Sequence, residues 1–525
     1  MGIKDGQGAL YLRRLDQFEA VLLPKTERAT APTFSPDGKR LVFFARGRVF
    51  RIDLPDGIPV EVGSVMADPV GADWGEDGRI VYTPNWSDAL WTRSEQEGEP
   101  HEFTKLNRAA GEVSHRLPCF LPGGAGVLFT IKSASDQTMD EASIAIADAA
   151  TGAHRILLKG GSRPRYLNDG HLVFARAGRL YAVPFDLASR SVRGAPFPVL
   201  EGVATSGGTG NALYDVTRAG DLAYLAGSGA DSQARLAWEG PDRAPRILDS
   251  LDSEWISNPN LSQDFRRAIV AIGGANDKLG LVDLERGNLT RLKSGAGNDG
   301  NGVLSKDGRL LLFNSDRAGG GYRFYRMPLD GSAPPAPLIE GTGVIHSISY
   351  SAGMLGLSLD SSRGDPDAYL IAVAGDGTPA GKPVLLAGGP DYQGTPTVSP
   401  DGKLVAWVSS ESGRHDVYVA HLADAGSRRR VSNQGGDEPR YNRQGTRLFY
   451  ITPQGIVSVA LRSAADLSFG EPEKVTGSID AGRISGYDVA ADGTSVLLSQ
   501  VDEAPGLRRD IRLWPGWGRT LQAVH

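Results

Sequence analysis

The stretch "FSPDGKRLVFF", Phe34–Phe44, sets a Ser-Pro-Asp-Gly turn between an aromatic residue and a run of Leu, Val and Phe. Pro36 presets φ for a turn, Asp37 can bond nearby backbone, and Gly38 accepts a positive φ that a side chain resists. The unit is a strand, a tight reversal and a second, strongly apolar strand. With Phe34 as anchor, the same pattern returns at Trp74, Phe120, Tyr166, Val216, Leu261, Leu304, Tyr350, Val398, Tyr441 and Val489. The anchors stand 40 to 50 residues apart, which is the period of a four-stranded propeller blade.

The columns around the anchor have mechanical reasons. Four residues after it stands Gly in nine units, among them Gly38, Gly170, Gly308 and Gly402; only Phe265 and Met354 break the column. One place earlier Asp recurs, as in Asp37, Asp264, Asp307 and Asp401. Residues that repeat because every blade must turn are structural, so this Asp column is not read as catalytic or metal-binding. After each turn comes a second strand such as "RLVFF" or "RLLLF", then a third such as "RVFRIDLPDG", then a weaker outer one such as "FPVLEG". Short β-rich strands at regular spacing predict an all-β fold.

The expected architecture is tandem β-propellers of about eleven to twelve four-stranded blades. Known rings usually hold four to eight blades, so two rings are expected. The expected division is 8–250 and 251–525, with a boundary as early as 205 if the Gly-rich "GVATSGGTGN", 202–211, is the linker. "GALYLRRLDQFEAVLLP", 8–24, reads as a third and fourth strand with no first or second before it. Either the two chain ends share a blade or a half-blade is missing at the front.

Composition narrows the function. The 525 residues carry 56 Lys+Arg against 62 Asp+Glu, a formal charge of −6, with no long basic run. The electrostatic footprint of a nucleic-acid binder is absent. Cys119 is the single cysteine, which excludes an intramolecular disulfide. The eight His show no paired spacing, so no metal and no cofactor are expected. No apolar run of membrane-spanning length and no signal-peptide core is present, so the chain as written is expected in the cytoplasm.

With its blades laid out, the chain resembles TolB-type, WD-like propeller repeats. More narrowly, it resembles the propeller region C-terminal to the kinase domain of bacterial eukaryotic-like serine/threonine kinases. The residues that carry the likeness are "LYLRRLDQFEAVLLP", "PTFSPDGKRLVFFARG", "SHRLPCFLPGGAGVLFT", "PTVSPDGKLVAWVSSESGRHDVYVAHL" and "DIRLWPGW". In that family a kinase and a membrane helix lie upstream. This sequence has no Gly-rich phosphate loop, His-Arg-Asp loop or Asp-Phe-Gly motif, so kinase activity does not carry over. The resemblance implies a sensor or interaction module, extracytoplasmic if the chain is a fragment of a membrane-anchored kinase.

A Gly-x-Ser-x-Gly elbow is also missing, and blades use up the chain, which removes a prolyl-oligopeptidase-type hydrolase. No catalytic residues are assigned. Function is sought where repeats differ, in the segments leading into each innermost strand. In "GEVSHRLPCF", His115 and Arg116 are expected near a channel mouth, where an Arg fork and an imidazole suit a carboxylate or phosphate. In "GGDEPRYN", Asp437, Glu438 and Arg440 form the matching set. For both, bonding to a neighbouring blade is the structural alternative. "NDGNG", 298–302, and "SNPN", 257–260, offer further polar groups. Trp86, Trp91, Trp514 and Trp517 serve blade packing or, if exposed, a peptide anchor.

The expected function is therefore a non-catalytic module that binds a protein or small polar ligand. The alternative is a propeller enzyme, a hydrolase or lyase acting on a peptide or polysaccharide in its funnel.

Overall fold

The computed structural model describes residues 2–524 apart from 5–6, 15–16, 18, 28, 46–47, 66–68, 70, 85–87, 97–98, 137, 206–211, 228–231, 242, 249–250, 252–254, 274–276, 296, 319–321, 340–344, 361–365, 375–376, 390, 478, 480–483 and 504–510. Trp86, the expected boundary at 250 and most of the Gly-rich 202–211 stretch fall outside the described residues. The fold is all-β, built of antiparallel sheets of consecutive strands, the pattern of β-propeller blades. No helix among the described residues is long and apolar enough to cross a membrane.

The opening stretch behaves as its residues dictate. Thr30–Phe34 and Arg40–Ala45 pair antiparallel, and the second strand is buried over its last five residues. Between them Ser35 Oγ donates to Asp37 Oδ1 at 2.5 Å, Asp37 Oδ1 accepts the Lys39 N–H at 3.1 Å, and Gly38 sits at φ +69°. The same Ser-to-Asp bond recurs at Ser262–Asp264, Ser305–Asp307 and Ser399–Asp401. In all four the Ser hydroxyl is the foremost cause that lowers the Asp pKa. The two breaks in the glycine column have physical reasons. Phe265 adopts the left-handed conformation itself, at φ +56°, while Met354 follows a two-residue hairpin in which Ala352 and Gly353 both have positive φ.

The chain divides into two compact units, one of Met1–Ser232 and Glu503–His525, the other of Gln233–Gly273 and Asp277–Asp502. These units differ from the expected division of 8–250 and 251–525 in that the second is inserted, along the chain, within the first. The reason is strand pairing. Ile511–Trp514 pairs with Leu222–Leu225 and so becomes the third strand of a sheet begun by Tyr214–Val216. Trp517 and Leu521, each 1% exposed, pack there with Leu167, Val203, Leu222 and Tyr224. Trp514, by contrast, is 45% exposed.

In the first unit, four-stranded sheets follow in order over Thr30–Ser64, Ala72–Glu102 and Glu112–Lys159. A further sheet covers Ser162–Glu201. The N-terminal segment forms a two-stranded piece, Tyr11–Leu12 with Val21–Leu22, and Leu10 and Leu23 pack on Leu41, Phe43 and Ile52 of the next sheet.

The second unit holds six blades among its described residues, the first and sixth joined into one eight-stranded sheet by a parallel bridge between Ala234 and Trp255. Five begin with the inner strands Trp255–Leu261, Asp299–Leu304, Ile345–Ser351, Gln393–Val398 and Asp437–Tyr441. The sixth joins both ends of the segment: Ile484–Val489 and Val496–Glu503 from one, Ser232–Gly240 and Arg243–Ile247 from the other. Successive inner strands pack side by side, and the sixth closes on the first, where the Leu261 N–H donates to Asp488 Oδ2 at 2.7 Å. Apolar layers fill the space between neighbouring sheets; Leu404, Ala406, Val417 and Val419 face Leu448, Tyr450 and Val459 of the next. Each of the Leu and Val side chains contributes about 1.5–3 kcal/mol on full burial.

Candidate functional site

Each inner strand of the second unit carries a β-bulge, between Ser257 and Asn260, Gly300 and Val303, Ile345 and Ser347, Gly394 and Thr397, Asp437 and Arg440, and Ile484 and Tyr487. The bulged residues Asn258, Asn301, Thr395 and Glu438 hold φ between +43° and +49°. Left-handed backbone costs a non-glycine residue about 1–2 kcal/mol, so something must hold it. At Glu438 and Thr395, hydroxyl groups of neighbouring sheets do so. Tyr487 donates to the Glu438 carbonyl at 2.8 Å, Ser349 Oγ to the Pro396 carbonyl at 2.5 Å, and the Thr395 N–H donates to Ser358 Oγ at 2.8 Å.

The bulges turn the inner strands around a cavity of about 220 Å³ to which all six contribute. Asn258, Asn260, Ser347, Tyr392, Glu438 and Arg440 give it a polar wall. Burial raises the Glu438 pKa, and Arg440 opposes the shift. Arg440 spends one guanidinium nitrogen on the Pro439 carbonyl at 3.3 Å, while its buried Nε has no hydrogen-bond partner. The buried Thr395 Oγ1 is likewise unbonded. Burial also raises the Asp488 pKa, against the pull of Arg440 and the backbone N–H groups of Leu261 and Val489.

The first unit repeats this corner with different charges. Its "SRPRY" and "YDV", at 162–166 and 214–216, match "DEPRY" and "YDV" at 437–441 and 487–489. Tyr214 likewise donates to the carbonyl of the bulged residue, here Arg163 in place of Glu438. There Arg165 is committed to Asp215 at 2.7 Å, and Asp73 accepts the Phe120 N–H at 2.7 Å. Cys119 is buried beside them, its thiol pushed up to about 11 by burial and the Asp73 charge.

Of the five residues singled out in the sequence, Glu438 and Arg440 line the cavity. Asp437 does not; it accepts the Glu438 N–H at 2.9 Å and stands 2.8 Å from His415 Nδ1, whose ring stacks on Tyr392 at 4.4 Å. His115 and Arg116 belong to the first unit and do not act as a pair. Successive strand residues point to opposite faces. His115 is fully buried against Thr104 and Glu112, and Arg116 Nε donates to Ser114 Oγ at 2.6 Å. The 298–302 segment splits. Asn298 and Asp299 are tied to Asp316 and Arg317, whereas Asn301 and Gly302 reach the cavity. Both Asn of "SNPN" reach it too. Tyr392, Thr395 and Tyr487 were missed; Thr395 and Tyr487 lie within three residues of the anchors Val398 and Val489, on the bulges, whereas Tyr392 precedes its strand and carries no such signal.

One group unites residues that sequence spacing kept apart: Glu112, His115 and His154, whose ligating atoms all lie within 4.8 Å of one another. Burial alone would raise the Glu112 pKa, but bonds from His115, His154 and the Asn107 N–H outweigh it and hold the carboxyl well below its usual range.

No protein family and no curated protein matches the chain. Solved structures similar to it include the putative TolB from Agrobacterium tumefaciens, at 15% identity and a TM-score of 0.41, over 52% of this chain and 99% of that one. TolB from Acinetobacter baumannii matches at 15% identity and TM-score 0.37, over 65% and 80%. The tricorn protease matches at 11% identity and TM-score 0.34, over 93% of this chain and 62% of that one.

Proposed function

We propose that the protein is a non-catalytic propeller module whose second-unit channel binds a small polar ligand bearing a carboxylate. The observation that carries this reading is the cavity of about 220 Å³ shared by six inner strands, in which the Arg440 Nε and Thr395 Oγ1 are buried without a partner. Buried polar groups are normally bonded, and leaving one unmet costs about 1–3 kcal/mol. A carboxylate on the Arg440 fork would meet that need through charge-assisted bonds. Glu438, two residues away, and the Asn258 and Asn260 amides suit a donor group on the same ligand. Among the described residues, Glu438 is the single carboxyl lining the cavity, and no His, Cys or Lys lines it. Acid–base hydrolysis of a glycoside uses two carboxyl groups, so binding is the better fit. The resemblance to kinase-associated repeats supports the same role, a sensor that reads a ligand.

The test is thermal denaturation and calorimetry with glutamate and succinate as probes. Wild type should gain stability with a saturable dependence on at least one of them, and Arg440→Gln should lose at least tenfold in affinity. Equal binding by the variant, or no binding by wild type, overturns the reading. Turnover of a peptide or oligosaccharide abolished in Glu438→Gln would instead favour the funnel enzyme.

A further inference from the structure

We propose that Glu112, His115 and His154 form a binding site for a divalent first-row transition-metal ion, with Zn²⁺ the fitting candidate. Glu112 and His115 stand near the start of an inner strand, and His154 begins the outer strand of the same sheet. The register brings them to one face. His115 pairs with Ile131, Phe129 with Ala145, and Ala147 with His154. Directly paired residues share a face, as do alternate residues along a strand. Glu112 pairs with Ser133, two places from Ile131, and so joins the same face. The small Ala145 and Ala147 lie in between and leave room for both imidazoles, whose centroids come to 4.7 Å with Phe129 beneath them.

The two carboxylate oxygens face the two imidazoles separately. His115 Nε2 is 3.1 Å from Glu112 Oε2, and His154 Nε2 is 3.2 Å from Glu112 Oε1. Metal–nitrogen and metal–oxygen bonds of about 2.0–2.2 Å, at angles between octahedral and tetrahedral, set such N···O edges at about 2.9–3.5 Å. Both N···O distances fall in that range, and the ligating atoms of all three residues lie within 4.8 Å of one another. Two imidazoles and one carboxylate are the donors of open, three-ligand zinc sites and of facial triads.

The surroundings suit a ligand set as well. Thr104 Oγ1 lies 2.7 Å from His115 Nδ1 and is itself fixed by the Leu90 N–H at 3.0 Å. A His115 tautomer with its proton on Nδ1 donates it to Thr104 and turns the Nε2 lone pair toward the ion, the outer-shell arrangement usual for ligating His. The Asn107 N–H, 2.7 Å from Glu112 Oε2, orients the carboxylate. Glu112 is 7% exposed and His115 fully buried, while the His154 side chain keeps 14% of its surface, which gives the ion a way in. The site would tie the inner strand of this sheet to its outer strand and leave one position for water.

The experiment is metal loading of the full chain. Protein stripped with chelator is incubated with Zn²⁺, passed through a desalting column and assayed by elemental analysis. One equivalent should remain with wild type, and Zn²⁺ should raise its melting temperature. His154→Gln should retain less than a tenth as much at the same free Zn²⁺, whereas the exposed His101→Gln should match wild type. Co²⁺ added to stripped wild type should give the visible d–d bands of a nitrogen–oxygen site, a readout that needs no variant to fold. A wild type that retains no Zn²⁺ and shows no Co²⁺ bands overturns the proposal. So does a His154→Gln protein that loads like wild type.

Discussion

The Tyr487 hydroxyl donates to the backbone carbonyl of Glu438 at 2.8 Å and clamps that residue at φ +47° on the channel wall. One bond thus joins the fifth and sixth sheets of the second unit and holds the Glu438 bulge that shapes the cavity. Tyr487→Phe should therefore lower the stability of the second unit by about 1–2 kcal/mol, the cost of leaving a buried carbonyl unmet. Denaturant unfolding of variant and wild type measures it. An unchanged midpoint would mean that the hydroxyl does not hold the bulge.

Glu438 makes stability depend on pH in a direction opposite to a salt-bridged acid. Burial raises its folded pKa above the unfolded value. As pH rises through about 4.3, the unfolded chain ionises first while the folded chain keeps its proton. The folded state binds more protons in this window, so stability falls until the folded pKa is passed. Glu438→Gln removes the effect, and its stability relative to wild type should grow from pH 4 upward. Urea titrations across that range check the sign; a wild type that gains on the variant as pH rises would show a paired carboxylate instead.

Two glycines at the same φ separate conformation from space. Gly38 and Gly152 both sit at +69°, but a Cβ on Gly38 meets nothing within 4 Å, whereas on Gly152 it would lie 1.7 Å from the Phe103 carbonyl oxygen. Gly38→Ala should cost only the left-handed strain, roughly 1–2 kcal/mol. Gly152→Ala must also move backbone and should cost considerably more. Equal melting losses would refute this division.

Trp517 tests how the first unit is completed. It is 1% exposed in the apolar cluster that joins the Ser162–Glu201 sheet to the one finished by Ile511–Trp514. Trp517→Ala should cost about 3–5 kcal/mol. Hydrogen exchange should show the loss around Leu222–Leu225, with the strands of the second unit keeping their protection. A loss spread evenly over both units would contradict the assignment.

Much of this fold was legible because blades are local. The turn at Ser35–Gly38, the buried run of Arg40–Ala45 and their recurrences depend on residues within about ten positions, and the sequence shows those directly. Glu438 and Arg440 stand out by the same logic, as departures from a repeat, and the structure sets both on the cavity wall. His115 and Arg116 have separate partners for an equally local reason: neighbours on a strand face opposite ways.

The sequence by itself determined the blade period, the turns and the apolar strands, since each rests on short-range sterics and alternation. Only the tertiary structure decided that Ile511–Trp514 returns to Leu222–Leu225, that Ser232–Gly240 completes a sheet with Val496–Glu503, and that His154 meets Glu112. Those partners lie tens to hundreds of residues apart. Which strand closes a sheet, and which side chains then share a face, follows from ring geometry and register, and no local pattern carries either.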